Sequence, residues 1–181
     1  MHEETSARES YAPIGLYRPT QPPGRPSVGL KGVNAILAQA RALQRTARTG
    51  PLPALLRGKN LGLLCSDDGE HQADTVLFIR AGTELGAHVA RIRSTLTSDS
   101  TAQDLRRTAR LLGQLYDAVE CQDLGGMLVH ALAAEAGVPV FDRVASPEHP
   151  TAALADLLSD ETSPADNRRF VVQAVLLVAI G

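Results

Sequence analysis

Hydrophobic positions recur along the chain with two different periods, and their order predicts a fold. Short apolar runs typical of buried β-strands occur at residues 60–65, 88–92, 117–121 and 138–141. Between and after them lie stretches with helical spacing, near residues 75–85, 102–115, 124–136 and 150–158. Strands that alternate with helices indicate a parallel sheet covered on both faces. We therefore expect an α/β fold in three αβα layers, with a parallel sheet of four or slightly more strands.

Two further helices are predicted outside this alternation. One spans residues 31–48 and ends before Gly50. The other has Ser163 as its N-cap and Pro164 in its first turn, and it occupies residues 164–181. Its apolar residues nearly surround the helix axis, so we expect it to pack back on the rest of the fold. The proline-rich residues 1–28 are predicted to form a flexible arm ahead of a single domain at 29–181.

Composition narrows the classes of function. A net charge of −2 gives no support for a nucleic-acid or membrane partner, and 3% aromatic residues without Trp disfavour stacking platforms. The N-terminal segment has no apolar core of a signal peptide, and we expect a cytoplasmic protein. Cys65 and Cys121 end predicted buried strands, and we interpret them as reduced core thiols rather than as a disulfide or a nucleophile.

Any ligand site of such a fold is expected at the carboxyl ends of the strands, where the following helices begin. Helix N-termini at this edge usually bind anions. The first such loop, DGEHQADT at residues 68–75, is instead rich in acid, and no Arg or Lys occurs between Lys59 and Arg80. The negative charge of this loop does not suit the anion-binding site that its position predicts.

Several segments resemble one known family. His149 to Leu158, HPTAALADLL, resembles the HPxQxLADLxT signature of the aspartate and ornithine carbamoyltransferases. Four further segments resemble parts of the same family. LRGKNLGLL at 56–64 resembles its first strand, and RRTARLLGQLYDAV at 106–119 resembles its DTARVL-R-YD segment. AEAGVPVFDR at 134–143 resembles its SVPVING segment, and DNRRFVVQAVLLVAIG at 166–181 resembles its final helix. The order of these segments is that of the family, and together they cover most of residues 32–181.

The resemblance implies a shortened member of this family. Its enzymes have a first domain that binds carbamoyl phosphate, a second domain that binds the amino-acid substrate, and a last helix that crosses back onto the first. Here the LADLL segment leads almost directly into the last helix, so the second domain is expected to be missing.

The resemblance also locates the phosphate site and implies that its arginines are replaced in this chain. The family's Ser-Thr-Arg-Thr-Arg loop falls on His71, Gln72, Ala73, Asp74 and Thr75, and its arginine after the third strand falls on Gln122. Three arginine contacts at about 1.5–3 kcal/mol each are lost, which weakens phosphate binding by at least ~1,000-fold. The retained HPT is His149, Pro150 and Thr151. The candidate ligand-binding residues are therefore His71, Gln72, Asp74, Thr75, Gln122, His149, Pro150 and Thr151.

Two hypotheses follow. The first is a non-catalytic pseudoenzyme without cofactor, acting as a structural or regulatory subunit. It would form a homotrimer, because the family's first domain makes the trimer contacts, or a hetero-oligomer with a full-length carbamoyltransferase or a biosynthetic enzyme. The second is a repurposed enzyme or a small-molecule or metal site that uses His71, Asp74, Gln122 and His149. The second hypothesis competes with simple structural roles for the same residues. In these roles His149 satisfies backbone groups and Asp74 caps a helix.

Overall fold

The computed structural model describes residues 30–65 and 72–181, and its elements follow the predicted alternation. Along the chain they are α1 (Leu30–Thr49), β1 (Asn60–Leu64), α2 (Gln72–Glu84), β2 (His88–Ile92), α3 (Ala102–Leu115), β3 (Ala118–Cys121), α4 (Gly126–Ala136), β4 (Val140–Asp142), a 3-10 helix (Ala152–Leu157) and α5 (Pro164–Ile180). The arm predicted at residues 1–28 lies outside the described residues. Within the described ranges no helix has the length and apolar character needed to cross a membrane.

The four strands form one parallel sheet in the order β2-β1-β3-β4. This arrangement confirms the predicted αβα fold. Because all strands run in the same direction, their carboxyl ends meet at one edge of the sheet, which we call the rim. Strand β4 is the last in the order, so one of its sides carries no neighbouring strand among the described residues.

The first face of the sheet is covered by α1, α2 and α5. Leu61 and Leu63 of β1 pack there with Phe78 of α2 and Phe170 of α5, all of them buried. Residues 170–176 of α5 are buried without interruption, which confirms the burial that their all-round apolar pattern predicts. Helix α5 contacts both α1 and α2, and so completes this core.

The second face is covered by α3 and α4. Its core is built around Leu64, Val119 and Cys121 from the strands and Leu132 from α4. The two helices approach so closely that a β-carbon on Gly113 would lie 1.9 Å from the carbonyl oxygen of Ala136. Only glycine fits at this crossing.

One helix differs in type from its prediction. The segment expected to be helical at 150–158 is a 3-10 helix at Ala152–Leu157. Its first bonds run from Leu154 N to Thr151 O and from Ala152 N to His149 O, at 3.1 and 2.8 Å. A run of six residues, starting two positions after Pro150, is short for an α-helix, and 3-10 turns are common in such connectors.

A partly buried hydrogen-bond network holds the link between the 3-10 helix and α5. Gln44 Nε2 of α1 lies 2.9 Å from Ser159 O, 2.6 Å from Thr162 Oγ1 and 3.0 Å from Asn167 Oδ1. Asn167 Nδ2 also donates to Ser159 O at 3.3 Å. We call Gln44, Ser159, Thr162 and Asn167 the seam network. Through it α1 fixes the position at which α5 starts.

Candidate functional site

The phosphate position implied by the resemblance lies at the start of α2, beside the end of β1. His71 lies outside the described residues, and Gln72 is placed only as the first residue of the helix. Asp74 is partly buried and lies in the first turn of α2, so the simple interpretation of Asp74 as the N-cap is wrong. Its carboxylate occupies the end of the helix that favours negative charge.

Thr75 and Gln122 meet directly, as their predicted places at the rim require. The hydroxyl of Thr75 donates to Gln122 Oε1 at 2.5 Å, and both residues are buried. This bond joins the first turn of α2 to the end of β3. Gln122 Nε2 is buried and has no hydrogen-bond partner in the part of the chain that the structure describes.

Glu120 is a buried acid at this site that the sequence interpretation missed. It lies on β3, two residues before Gln122, and is 0% exposed. Burial raises the pKa of its carboxyl from the ordinary value of 4.5 to about 8, and the charges of Asp142 and Asp74 add to the increase. Glu120 is therefore mainly protonated at neutral pH. Its Oε2 accepts from Val144 N at 3.2 Å, and its Oε1 has no partner among the described residues.

Arg168 is the second residue that was missed, and it brings a cation to the rim from the far end of the chain. Its Nη2 donates to the carbonyl oxygens of Val144 and Ser146 at 2.8 and 2.7 Å. Burial lowers the pKa of its guanidinium, while the neighbouring acids Asp74 and, once ionised, Glu120 raise it. Its Nε and Nη1 are buried and have no hydrogen-bond partner within the described ranges.

Asp74, Thr75, Glu120, Gln122 and Arg168 together form what we call the rim cluster. Its polar atoms without partners are two guanidinium nitrogens, one amide nitrogen and one carboxyl oxygen. With Glu120 protonated, all of these groups can donate a hydrogen bond. The cluster combines one cation with one nearby carboxylate, which does not suit the dianion of a phosphate ester.

Two of the retained HPT residues, His149 and Thr151, are bonded to each other. His149 Nδ1 lies 2.8 Å from Thr151 Oγ1, and Thr151 N donates to the same ring nitrogen at 3.3 Å. This matches the simple interpretation that His149 satisfies backbone groups at the start of a helix. His149, Pro150 and Thr151 line a cavity beside α4 and β4, and no residue of the rim cluster lines that cavity.

The cysteines and the acidic groups form no metal centre among the described residues. Cys65 and Cys121 are free and buried, in agreement with their interpretation as core thiols. Burial raises the pKa of the Cys121 thiol, which therefore stays protonated, and its side chain faces the second core rather than the rim. No group of three or more His, Cys, Asp or Glu side chains in residues 30–65 and 72–181 is placed to hold a metal ion.

The sequence signals for the missed residues are weak but present. Glu120 is an acid inside an otherwise apolar strand, AVEC, where a charged side chain needs a reason. Arg168 precedes the long apolar run of α5. Neither signal shows that the two side chains lie near each other, because that depends on where α5 packs.

Comparison with known proteins identifies relatives of both sequence and fold. Residues 28–161 match the family described as "Aspartate/ornithine carbamoyltransferase, carbamoyl-P binding domain". The chain is 34% identical over 127 residues to the ornithine carbamoyltransferase of Actinobacillus pleuropneumoniae serotype 5b, a match that covers 70% of this chain and 37% of that protein.

Solved structures give the same result. The ornithine carbamoyltransferase from Pyrococcus furiosus superposes with a TM-score of 0.57 at 26% identity, over 70% of this chain and 40% of that chain. The enzyme from Gloeobacter violaceus gives a TM-score of 0.51 at 28% identity, over 70% and 39% of the respective chains. The chain thus spans about two fifths of the length of these relatives.

Proposed function

The chain belongs to the aspartate/ornithine carbamoyltransferase family, and from this premise we propose that it is a non-catalytic member that acts as a subunit of an oligomer. The observation that carries the proposal is the hydrogen bond between Thr75 and Gln122 at the phosphate position. An amide paired with a hydroxyl stands there, with the carboxylate of Asp74 beside it, where the resemblance places arginines.

The charges at the phosphate position also argue against carbamoyl transfer. Arg168 supplies one guanidinium, but its Nη2 is already bonded to two carbonyl oxygens. It does not replace three arginine contacts, whose loss corresponds to at least ~1,000-fold weaker binding of a phosphate. The direct connection from the 3-10 helix to α5, through residues 158–163, leaves no room for an amino-acid-binding domain between them.

The surface of α3 supports a role in assembly. Leu111 and Leu115 are more than half exposed on this helix. Arg106, Arg107 and Arg110 lie beside Leu111, and exposed leucine next to arginine is a composition typical of protein interfaces. We propose a homotrimer, with a hetero-oligomer of this chain and a full-length carbamoyltransferase or another biosynthetic enzyme as the alternative.

Calorimetry with carbamoyl phosphate tests the first part of the proposal. No binding is expected at concentrations below about 1 mM. Replacement of the rim carboxylate in Asp74→Asn should strengthen the weak binding of inorganic phosphate several-fold at low salt, because it removes a like charge. The matched variant Asp160→Asn, on the exposed link, should not. Micromolar affinity for carbamoyl phosphate, or formation of citrulline or carbamoyl-aspartate, would contradict the proposal.

Light scattering tests the second part. A particle of about three times the mass of one chain is expected, and Leu111→Asp together with Leu115→Asp should reduce it to monomers. A monomeric wild-type protein that also fails to bind an added full-length carbamoyltransferase would rule out the subunit role.

A second candidate function is binding of a small molecule at the rim. It is favoured by the four polar atoms of Glu120, Gln122 and Arg168 that are buried without partners among the described residues. Each such atom costs about 1–3 kcal/mol, which is more than a purely structural cluster is expected to retain. A neutral or singly charged ligand that accepts hydrogen bonds fits this set of donors. Protection from thermal unfolding by small carboxylates such as acetate, abolished in Arg168→Leu, is the expected result.

A further inference from the structure

Strand β4 leaves one edge of the parallel sheet open. Arg143 N, directly after the strand, donates to Cys121 O at 3.0 Å, so this peptide group faces β3. Because peptide groups alternate in direction along a strand, those of Val140 and Asp142 point to the opposite side, where no described strand lies. Such an edge offers backbone donors and acceptors to another extended segment.

A cavity of about 280 Å³ lies along this open edge, and all three residues of β4 line it. Val129 and Ala133 of α4 line it from one face of the sheet, and Val175 of α5 lines it from the other face. The cavity therefore lies beside β4 and between the two helix layers. A fifth strand of the sheet would occupy this space.

The lining of the cavity is apolar along the helices and has an excess of negative charge near the end of β4. Asp142 and Glu148 are the acids of the lining, and Arg143 Nη2 lies 3.9 Å from Glu148 Oε2. Asp142 is exposed and forms no ion pair within the described ranges. These three charges leave one carboxylate unmatched, so the cavity suits an apolar extended segment that carries one cation.

One stretch of the arm ahead of α1 has this composition. It is IGLYR at residues 14–18, which we call the IGLYR segment, and it lies between Pro13 and Pro19. The segment has the same length as β1 and β2, and its residues include β-branched, aromatic and aliphatic side chains. It contains one cation and no acid, whereas residues 19–27 contain no large apolar residue other than proline. Proline is tolerated at the start of an edge strand and beyond its end.

The connection to α1 is long enough for the IGLYR segment to reach β4. Residues 19–29 join the segment to α1, and eleven residues in extended conformation span about 34 Å at about 3.1 Å each. Helix α1 packs against α5, and α5 lines the cavity. Neighbouring helices lie about 10 Å apart and a helix of twenty residues is about 30 Å long, so the start of α1 is within this reach.

We propose that the IGLYR segment of the same chain adds to β4 as a fifth, parallel strand. Residues 16–18 then lie opposite the three residues of β4. In this register Tyr17 is opposite Phe141, and Arg18 is opposite Asp142, the unmatched carboxylate. Aromatic pairs and pairs of opposite charge at opposed positions stabilise neighbouring strands. An antiparallel segment in the same place would carry the cation away from the carboxylate.

The proposed strand also completes the burial of the cavity. Its Leu16 lies on the side of Val129 and α4, and its Tyr17 lies on the side of Val175 and α5. The flexibility predicted for the arm is then limited to the residues on either side of the segment. The proposal goes beyond the proposed function and is independent of it, because it uses neither the rim cluster nor the surface of α3.

Hydrogen exchange measured by NMR on the full chain tests the proposal. The amides of Val140 and Asp142 should exchange at least tenfold more slowly in the wild type than in a variant with Leu16→Asp and Tyr17→Asp. The amide of Arg143 faces β3, so it should stay protected in both proteins and report that the fold is intact.

A matched control adds the same two charges elsewhere in the arm. Thr20→Asp with Gln21→Asp lies outside the IGLYR segment and should keep the wild-type exchange rates of the β4 amides. Equal rates in the wild type and in the variant of the segment, whether slow or fast, would overturn the proposal. Equally slow rates would mean that another segment or molecule covers the edge.

A charge exchange tests the parallel register. Arg18→Glu should raise the exchange rate of the Val140 amide several-fold, because it places two carboxylates opposite each other. Adding Asp142→Arg should restore most of the protection, and Arg25→Glu is the matched control that should have no effect. A double variant no better protected than Arg18→Glu alone would overturn this register.

Dilution distinguishes the arm of the same chain from that of a second copy. Within one chain the effective concentration of the segment is fixed by the linker, so a tenfold dilution should leave the protection unchanged. Protection that falls with dilution would assign the edge to a second copy and overturn the proposal. The titration with carbamoyl phosphate and the variants of α3 share no residue with these experiments, so either proposal can fail alone.

Discussion

Two neighbouring residues of α5 enter two very different polar environments. Asn167 joins the seam network, where Gln44 contacts three acceptors and each amide is bonded. Arg168 joins the rim cluster, where its Nε and Nη1, together with Gln122 Nε2 and Glu120 Oε1, have no partner among the described residues. Both clusters contain buried polar groups, and both depend on the first two turns of the same helix.

The difference indicates which cluster serves stability. A satisfied buried bond contributes about 0.5–1.5 kcal/mol, whereas a buried polar group without a partner costs about 1–3 kcal/mol. The seam network therefore stabilises the short link that stands where relatives are expected to carry a second domain. The rim cluster lowers stability, and a cluster retained at such a cost is more easily explained by binding than by folding.

The largest expected effect concerns Glu120 and pH. Its carboxyl has an ordinary pKa of 4.5 in the unfolded chain and a pKa of about 8 in the folded protein. Between these values the folded protein holds one proton more than the unfolded chain. The contribution of this proton to the free energy of unfolding is complete below pH ~4.5, falls by about 1.4 kcal/mol per pH unit through the window, and is lost above pH ~8.

Urea unfolding at several pH values measures this contribution. Glu120→Gln should remove the decrease between about pH 5 and pH 8, and the variant should be more stable than the wild type at the upper end. Glu161→Gln changes an exposed acid paired with Arg48 and should keep the wild-type profile. Parallel profiles for wild type and Glu120→Gln would show that Glu120 does not change its protonation on folding.

A smaller loss is expected when the seam network is broken. Gln44→Ala removes an amide that is 4% exposed and that donates to Ser159 O, Thr162 Oγ1 and Asn167 Oδ1; Asn167 Oδ1 then keeps only the hydroxyl of Thr162 as a donor. The free energy of unfolding should fall by about 2–3 kcal/mol, because buried groups lose their partners. Arg45→Ala, at the exposed neighbouring position on α1, should change it by less than about 0.5 kcal/mol. Equal effects of the two variants would show that the seam does not hold the link.

The smallest effect is expected for the corresponding amide of the rim cluster. Gln122→Met keeps the shape of the side chain, removes the bond to Thr75 and also removes the buried Nε2 that lacks a partner. These two changes oppose each other, so the free energy of unfolding should shift by less than about 1 kcal/mol in either direction. A loss as large as that of Gln44→Ala would mean that the two clusters are equally satisfied.

Much of the fold could be predicted from the sequence, because it depends on local periodicity. The strands at 60–65 and 88–92 and the helix at 102–115 were placed to within a residue, and Ser163 accepts from Asp166 N as the predicted cap of α5. The type of the helix at 150–158 was wrong, since spacing alone does not separate a short α-helix from a 3-10 helix. Of the candidate site, the meeting of Thr75 with Gln122 followed from the parallel sheet, whereas His71 lies outside the described residues.

The sequence by itself determined the order of strands and helices, the acidity of the loop before α2 and the absence of nearby arginine. Only the tertiary structure decided that Glu120 is buried and that Arg168 lies beside it. The reason is physical: a hydrophobic pattern specifies which face of a helix is buried, but not which strand end that helix will reach. The ionisation of Glu120 likewise depends on the desolvation produced by residues far away in the chain. Arg168, the cation of the rim cluster, therefore could not have been predicted from the sequence of the loop before α2 alone.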